Sequence, residues 1–398
     1  MDLLFGRRQV LHEVTGARVV VTGVAVRTAG RPDVKSGEVD ADAEVLGVPL
    51  VARVAGVSDD PDFPDDRKGS LASAVFGELG APPIGARMGI FLGTGLSSLT
   101  PHEVEVDLYP WLRDGRFDRD AIVRDLDPTR PAPRRHVPER VTHVLGARMG
   151  AVSLETSFSA CAAAAQSIAS AARAVGRGEV DCAYAGGHDS MLHPLGYLSF
   201  AVLGALSPTR GRPFHRGRDG FMIGEGAAML RLEREDDARA RGAPVLATFL
   251  GAGSSIDAHN VTAPHPEGRG AALAMRRALR DAGLTAADVD YVNAHGTGTQ
   301  VGDIAESLAI AAVLGQVPTG SFKGAFGHCI AAAGAVELAW CILGMAEGTT
   351  YGTVGCEELD PAIRCTVLVD SLSRPPNVVL SNSFGFGGQN CALIVARG

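Results

Sequence analysis

The stretch SFSACAAAAQSIASA (157–171) sets one thiol, Cys161, just after the β-type run AVSLETS (151–157) and ahead of a series of small helix formers. Strand followed by Ala-rich helix predicts a sulfur near a helix N-terminus, where the aligned peptide dipoles favour a thiolate and therefore a nucleophile. A small buried hydrophobe would fill the same slot, since cysteine is among the most buried residue types. Nucleophilic chemistry requires partners elsewhere in the chain.

Three further stretches supply such groups. NAHGTGTQVGD (293–303) places His295 after a strand, among glycines that let a ligand approach the backbone, with the hydroxyls of Thr297 and Thr299 suited to a polar arm. SFKGAFGHCIAAAGAVE (321–337) carries Lys323, His328 and Glu337, with His328 opening a second Ala-rich helix. An imidazole at a helix N-terminus resists protonation and serves as a neutral N–H donor. SNSFGFGGQN (381–390) sets three glycines around Phe384 and Phe386, a backbone that could aim N–H groups at an oxyanion or simply make a tight turn. Each stretch has a bland alternative, a structural histidine, a packing helix or a turn. A thiol, two histidines and a glycine-rich loop together form a nucleophile constellation.

The elements that must position these groups read as alternating strand and helix. RVVVTGVAV (18–26) and MGIFLGTG (88–95) are continuous apolar runs, the pattern of strands buried on both faces. Residues 29–70 read as loops, and 101–140, with the proline cluster DPTRPAPRRHVPER, as an exposed connection. From 141 the order is helix, the strand AVSLETS, the helix after Cys161 and a strand at 180–187. A passage near residue 240 leads to a second series: a strand at 246–253, a helix at 268–283, a strand at 290–296, helices after Asp303 and Gly327, and strands at 365–371 and 390–396. The repetition predicts an α/β protein of two similar halves, 1–240 with the thiol and 241–398 with both histidines.

Composition narrows the function classes. A chain of 398 residues, 46% hydrophobic and 21% charged, is globular and long enough for a large core. Its formal net charge of −8 argues against nucleic acid as a partner. Lysine occurs only at Lys35, Lys68 and Lys323, so each is conspicuous. Seven cysteines without a CxxC pair or regular spacing indicate neither a disulfide framework nor a metal site, and fit a reducing, cytoplasmic setting. No signal peptide is read at the start, and no uninterrupted apolar stretch reaches the roughly 18 residues that span a bilayer.

Taken in order, these stretches resemble the motifs of the elongating β-ketoacyl synthases, and GALSPTRGRPFHRGRDGFMIGEGAAMLRLE (204–233) is similar to that family's RPF-x-x-x-RDGF-x-x-GEGA signature. The resemblance runs from about residue 141 to the end. It implies the thiolase fold, a five-layered αβαβα arrangement of two related halves. It also implies an acyltransferase that condenses an acyl thioester, carried on Cys161, with malonyl-acyl carrier protein by decarboxylative Claisen chemistry.

By the same resemblance His295 and His328 stabilise the enolate, Lys323 and Glu337 form an ion pair that tunes His328, and the N–H groups of Cys161 and Phe386 make the oxyanion hole, with Phe386 as gate. Thr297 and Thr299 would contact the phosphopantetheine arm. That arm belongs to the carrier protein, so no cofactor of the chain's own and no metal is implied. Docking of an acidic carrier calls for a basic patch, for which the cluster Arg130, Arg134 and Arg135 is the sequence's candidate.

The expected assembly is a homodimer, or a heterodimer with a chain-length-factor-like subunit that completes the tunnel. A non-catalytic partner subunit is the competing class, and retention of Cys161 argues against it. Three departures stand out: GGQN ends the phenylalanine loop where GGTN is common, His215 stands at a usual Asp, and Cys329 follows His328. With an opening hundred residues that match poorly, they suggest a specialised polyketide or fatty-acid pathway.

Overall fold

The computed structural model describes residues 16–34, 37–39, 50–95, 109–113, 116–125 and 137–398. Its centre is a mixed sheet of eleven strands. The first half supplies β1 (Val19–Arg27), β2 (Met88–Thr94), β3 (Ser153–Ser157), β4 (Cys182–Asp189) and β5 (Gly226–Arg234). The second supplies β6 (Ala247–Ile256), β7 (Tyr291–Asn293), β8 (Pro318–Gly320), β9 (Thr366–Val367), β10 (Val378–Gly385) and β11 (Gln389–Arg397).

In space the first half runs β1-β5-β4-β2-β3 and the second β6-β11-β10-β7-β8, with β9 outside β8. With β9 left aside and the other five strands of each half numbered in chain order, each series reads 1-5-4-2-3. The two meet where β1 pairs antiparallel with β6 over Val19–Val21 and Ala247–Phe249. β2 and β4 are buried along their whole length, which is why MGIFLGT reads as an unbroken apolar run, while β4 ends in the buried polar pair His188 and Asp189.

Helices complete the layers. α1 (Arg67–Leu79) and α2 (Arg140–Met149) cover the outer face of the first half, α1 started by the Asp66 carboxylate accepting the Gly69 N–H at 3.1 Å. α3 (Ala163–Gly176) and α7 (Ala333–Glu347) lie between the two halves, and α5 (Arg269–Ala282) and α6 (Gln300–Leu314) cover the far side. The result is the expected αβαβα stack. α4 (Pro194–Val202) sits apart, beside the site described below.

Small residues make the middle layer possible. A Cβ on Gly93 would lie 2.2 Å from the Ala164 nitrogen, one on Gly187 2.6 Å from the Ala164 Cβ, and one on Gly334 2.8 Å from the Ala165 Cβ. Gly93 and Gly187 thus let α3 settle onto β2 and β4, while Gly334 lets α7 settle against α3. Packing this close is felt at the level of single methyl groups.

The structure departs from the sequence reading in two places and agrees with it at a third that could mislead. The strand expected at 365–371 is only Thr366–Val367. SNSFGFGGQN is a loop only at Phe386–Gly388; its first five residues end β10, a central strand whose polar Ser381 and Asn382 are spent on buried hydrogen bonds. Finally, Ile330–Glu347 is long and apolar enough to cross a membrane, yet most of it is buried in the middle layer and Glu337 interrupts it.

Candidate active site

The thiol and both imidazoles converge. Cys161 Sγ and one ring nitrogen each of His295 and His328 lie within 4.8 Å of one another, and His328 Nε2 is 3.2 Å from the sulfur. The two imidazoles meet edge to face, 5.2 Å between centroids at 81°. They line a cavity of about 390 Å³ that also takes in Thr297, Thr299, Phe200 and Phe386.

Cys161 does not begin the α-helix itself. It occupies a 3-10 turn, Ala160–Ala162, whose first residue is held at φ +46°, and α3 follows. His328 precedes a matching turn, Ile330–Ala332, with Ile330 at φ +45° and α7 behind it. Both are L-residues in the left-handed region, a conformation that persists only where the surroundings over-determine it.

The same turn fixes the His328 tautomer. The Ile330 N–H donates to Nδ1 at 3.2 Å, so a neutral ring carries its hydrogen on Nε2, facing Cys161. Burial and the Lys323 charge hold both His295 and His328 well below the usual imidazole range, so both are neutral. The His328 backbone is pinned by its N–H to the Met222 carbonyl (2.8 Å) and its carbonyl to the Gly224 N–H (3.0 Å), which is how the RPF-to-GEGA stretch enters the site.

The expected thiolate is not what the surroundings favour. Burial pushes the Cys161 thiol up to about 12 and outweighs the lowering by Lys323 and by the residue's own N–H. The resting pair is therefore a thiol beside a neutral N–H donor.

Lys323 and Glu337 are almost wholly buried and paired, with Nζ to Oε1 at 2.5 Å. Asn293 Nδ2 donates to the other carboxylate oxygen at 2.9 Å. Burial holds Glu337 above its ordinary range although Lys323 pulls the other way. The lysine was expected to tune His328; its hydrogen bond goes instead to the His295 carbonyl at 2.5 Å, and it reaches His328 only through its charge.

Thr297 and Thr299 share a hydrogen bond, their Oγ1 atoms 2.9 Å apart. Phe386 is half-buried, its ring 6.3 Å from that of Phe200 on α4. Just before it, Gly385 carries the loop against the nucleophile: a Cβ there would lie 3.0 Å from the Cys161 nitrogen and from the Ser159 carbonyl oxygen. Arg130, Arg134 and Arg135 lie outside the described residues.

Sequence reasoning missed Glu306 and Asp303, whose three-residue spacing on α6 was the available signal. Glu306 accepts the N–H groups of His295 (2.8 Å) and Gly296 (2.7 Å) and the Asn382 amide (3.1 Å), fixing the loop that carries His295, and burial raises it to about 7. Asp303 accepts the N–H of Phe214 (2.7 Å) and of Gly298 (3.1 Å) and faces the buried Arg218 guanidinium at 3.6 Å. Arg218 also donates to the carbonyls of Thr299 and Gln300, so the RDGF stretch braces the threonine loop.

Known proteins resemble this chain in sequence and fold. Residues 76–238 match the model of the β-ketoacyl synthase N-terminal domain and residues 246–357 that of the C-terminal domain. A 3-oxoacyl-[acyl-carrier-protein] synthase 2 from Mycobacterium bovis is 35% identical over 341 residues, covering 82% of this chain and 79% of the relative. Among solved structures, the ishigamide ketosynthase/chain length factor is similar over 96% of this chain and all of that one, with TM-score 0.83 and 30% identity. A β-ketoacyl synthase from Burkholderia phymatum STM815 gives TM-score 0.82 and 28% identity over 96% of this chain and all of that one. With both halves matched and the fold shared end to end, the chain belongs to the β-ketoacyl synthase family.

Proposed function

We propose that this chain is an elongating β-ketoacyl synthase that condenses an acyl group held on Cys161 with malonyl-acyl carrier protein. The observation that carries this reading is the His328 tautomer: an N–H donor 3.2 Å from the sulfur, locked by the Ile330 amide. A base at that position would call for a free lone pair on Nε2, whereas enolate stabilisation calls for the hydrogen that is there.

In the first half-reaction Cys161 Sγ attacks the thioester carbonyl of an acyl carrier. A C–S bond forms, the carrier's C–S bond breaks, and the thiol proton passes to the departing carrier sulfur. The Cys161 and Phe386 N–H groups hold the tetrahedral oxyanion, brought together by Gly385. In the second, the malonyl group loses CO2, and the electron pair of the broken C–C bond moves into an enolate whose oxygen accepts from His295 and His328. The enolate carbon attacks the Cys161 thioester, a C–C bond forms, and the sulfur leaves and regains a proton. Both imidazoles act neutral throughout, as burial keeps them. Thr297 and Thr299 hold the phosphopantetheine arm of the carrier.

The division into related halves, 1–240 and 241–398, is supported by the repeated strand order and by family models that meet between 238 and 246. A second chain of the same fold is the fitting partner. β3 stands at the edge of the sheet with Val152, Leu154 and Phe158 exposed on or beside it, and the ishigamide protein pairs a ketosynthase with a chain length factor. A cytoplasmic setting suits seven free cysteines.

The test mixes the purified chain with an acyl-carrier thioester and malonyl carrier protein and follows the carrier-bound product by intact mass, with Cys161→Ala as control. Cys161-dependent two-carbon extension is expected. Loading without extension would identify a missing partner subunit, and no loading would overturn the assignment.

A further inference from the structure

The mouth of the catalytic cavity is apolar and its flank is basic. Leu203, Val261 and Val301 line the cavity and are each at least half exposed, large aliphatic side chains left in water around one opening. Gly268 and Ala271 line the same opening, and from there α5 runs along the surface.

The solvent face of α5 carries Arg269, Leu273, Arg276, Arg277 and Arg280, all exposed. The spacing of 269, 273, 276 and 280 follows the helical repeat, so they form one stripe, about 18 Å from Gly268 to Arg280 at the α-helical rise. Arg269 pairs with Glu267 at 2.8 Å and Arg277 donates to the Ser254 carbonyl at 2.5 Å. Among the described residues no carboxylate comes within ion-pair distance of Arg276, Arg277 or Arg280. The helix's own acid, Asp281, is spent on the Ala252 N–H at 2.9 Å.

An acidic chain of net charge −8 would be expected to neutralise such a row with its own carboxylates. Here the row stays open and ends at an apolar mouth. A surface with that division fits a partner that presents acidic side chains beside an apolar contact and threads a narrow arm inward.

We propose that α5 and the Leu203, Val261, Val301 rim form the docking surface for an acidic carrier protein. This rests on the ketosynthase reading and adds to it where the carrier sits. The carrier's acidic residues lie along Arg276, Arg277 and Arg280, its apolar contact covers the rim, and the arm enters over Thr297 and Thr299. Charges of this kind act mainly on encounter and are screened by salt, so their loss reads out as a higher KM that depends less on salt.

The test is acyl transfer to Cys161 followed by intact mass, from an acyl-carrier protein and, separately, from a small acyl thioester of N-acetylcysteamine. Arg276→Glu with Arg277→Glu should raise KM for the carrier about tenfold and flatten its salt dependence, with transfer from the small thioester unchanged. Arg276→Ala with Arg277→Ala should shift KM the same way by less. An unchanged carrier KM in the Glu variant overturns the surface, as does wild-type protein that accepts the small thioester but not the carrier. Wild-type protein that accepts neither overturns the ketosynthase reading itself.

Discussion

Replacing Glu337 with Gln isolates the electrostatic core of the site. Lys323 is 1% exposed and its ammonium has two oxygen partners, Glu337 Oε1 and the His295 carbonyl, both at 2.5 Å. The neutral isostere leaves a buried ammonium without a counter-charge. Because Asn293 donates to the second carboxylate oxygen, one of the two donors must then face an amide NH2.

Breaking a buried pair from one side costs about 3–5 kcal/mol, against 0–1 for an exposed pair. That corresponds to a loss of roughly 10²–10³ or more in the folding constant. Urea unfolding of wild type and Glu337→Gln at pH 7.5, with equal slopes, reads the difference from the midpoints. Replacing both charges, as Lys323→Met with Glu337→Leu, should recover most of the loss, since apolar isosteres of a buried pair are often neutral or stabilising. A Glu337→Gln loss below about 1 kcal/mol would refute the reasoning, and so would a double variant as unstable as the single one.

Three further outcomes follow from the geometry. Gly385→Ala should abolish most acyl transfer while the chain stays folded, because the new methyl lies 3.0 Å from the Cys161 nitrogen; transfer rates and a circular dichroism melt measure the two, and wild-type transfer would count against the close approach. Alkylation of Cys161 by iodoacetamide should keep accelerating above pH 9, because burial raises the thiol to about 12; a plateau near pH 7 would indicate a resident thiolate. His188 is buried with neither ring nitrogen bonded and is held down to about 3 chiefly by burial, so its contribution to stability is complete above pH 6.5 and lost as the pH falls toward 3. Between pH 7.5 and 4.5 wild type should therefore lose about 2–3 kcal/mol more than His188→Leu by urea midpoints, and parallel pH profiles would contradict this.

The chemistry-bearing residues were legible because each sits at a junction the sequence marks: strand then thiol then alanines, glycine then histidine then alanines. The apolar runs located the buried strands β2 and β4 to within two residues, the miss at β4 including its polar end, His188 and Asp189. β10 was hidden for the opposite reason. It is a central strand that carries Ser381, Asn382 and Ser383 into a polar interior, so it reads as loop.

The charge state of Cys161 was misread because a helix N-terminus can be seen in sequence and the depth of burial cannot. Glu306 escaped notice because its partners are backbone N–H groups of another segment, and such bonds leave no trace in composition. Lys323 was read in part: the resemblance ties it to Glu337 and its charge does act on His328, but only the fold brings its hydrogen bond to the His295 carbonyl.

The repeated strand order has a mechanical consequence. Cys161 and His328 head the two middle helices, one from each half, and so belong to different repeats that meet at a seam. Their separation is set by how closely α3 and α7 nest, with Gly334 of α7 against Ala165 of α3 as a point of close approach. A change at that contact, four residues past Cys161 on one helix and six past His328 on the other, would act as a shim, altering the gap between donor and sulfur without touching either. The middle layer is thus the gauge of the reaction centre as well as the core of the protein.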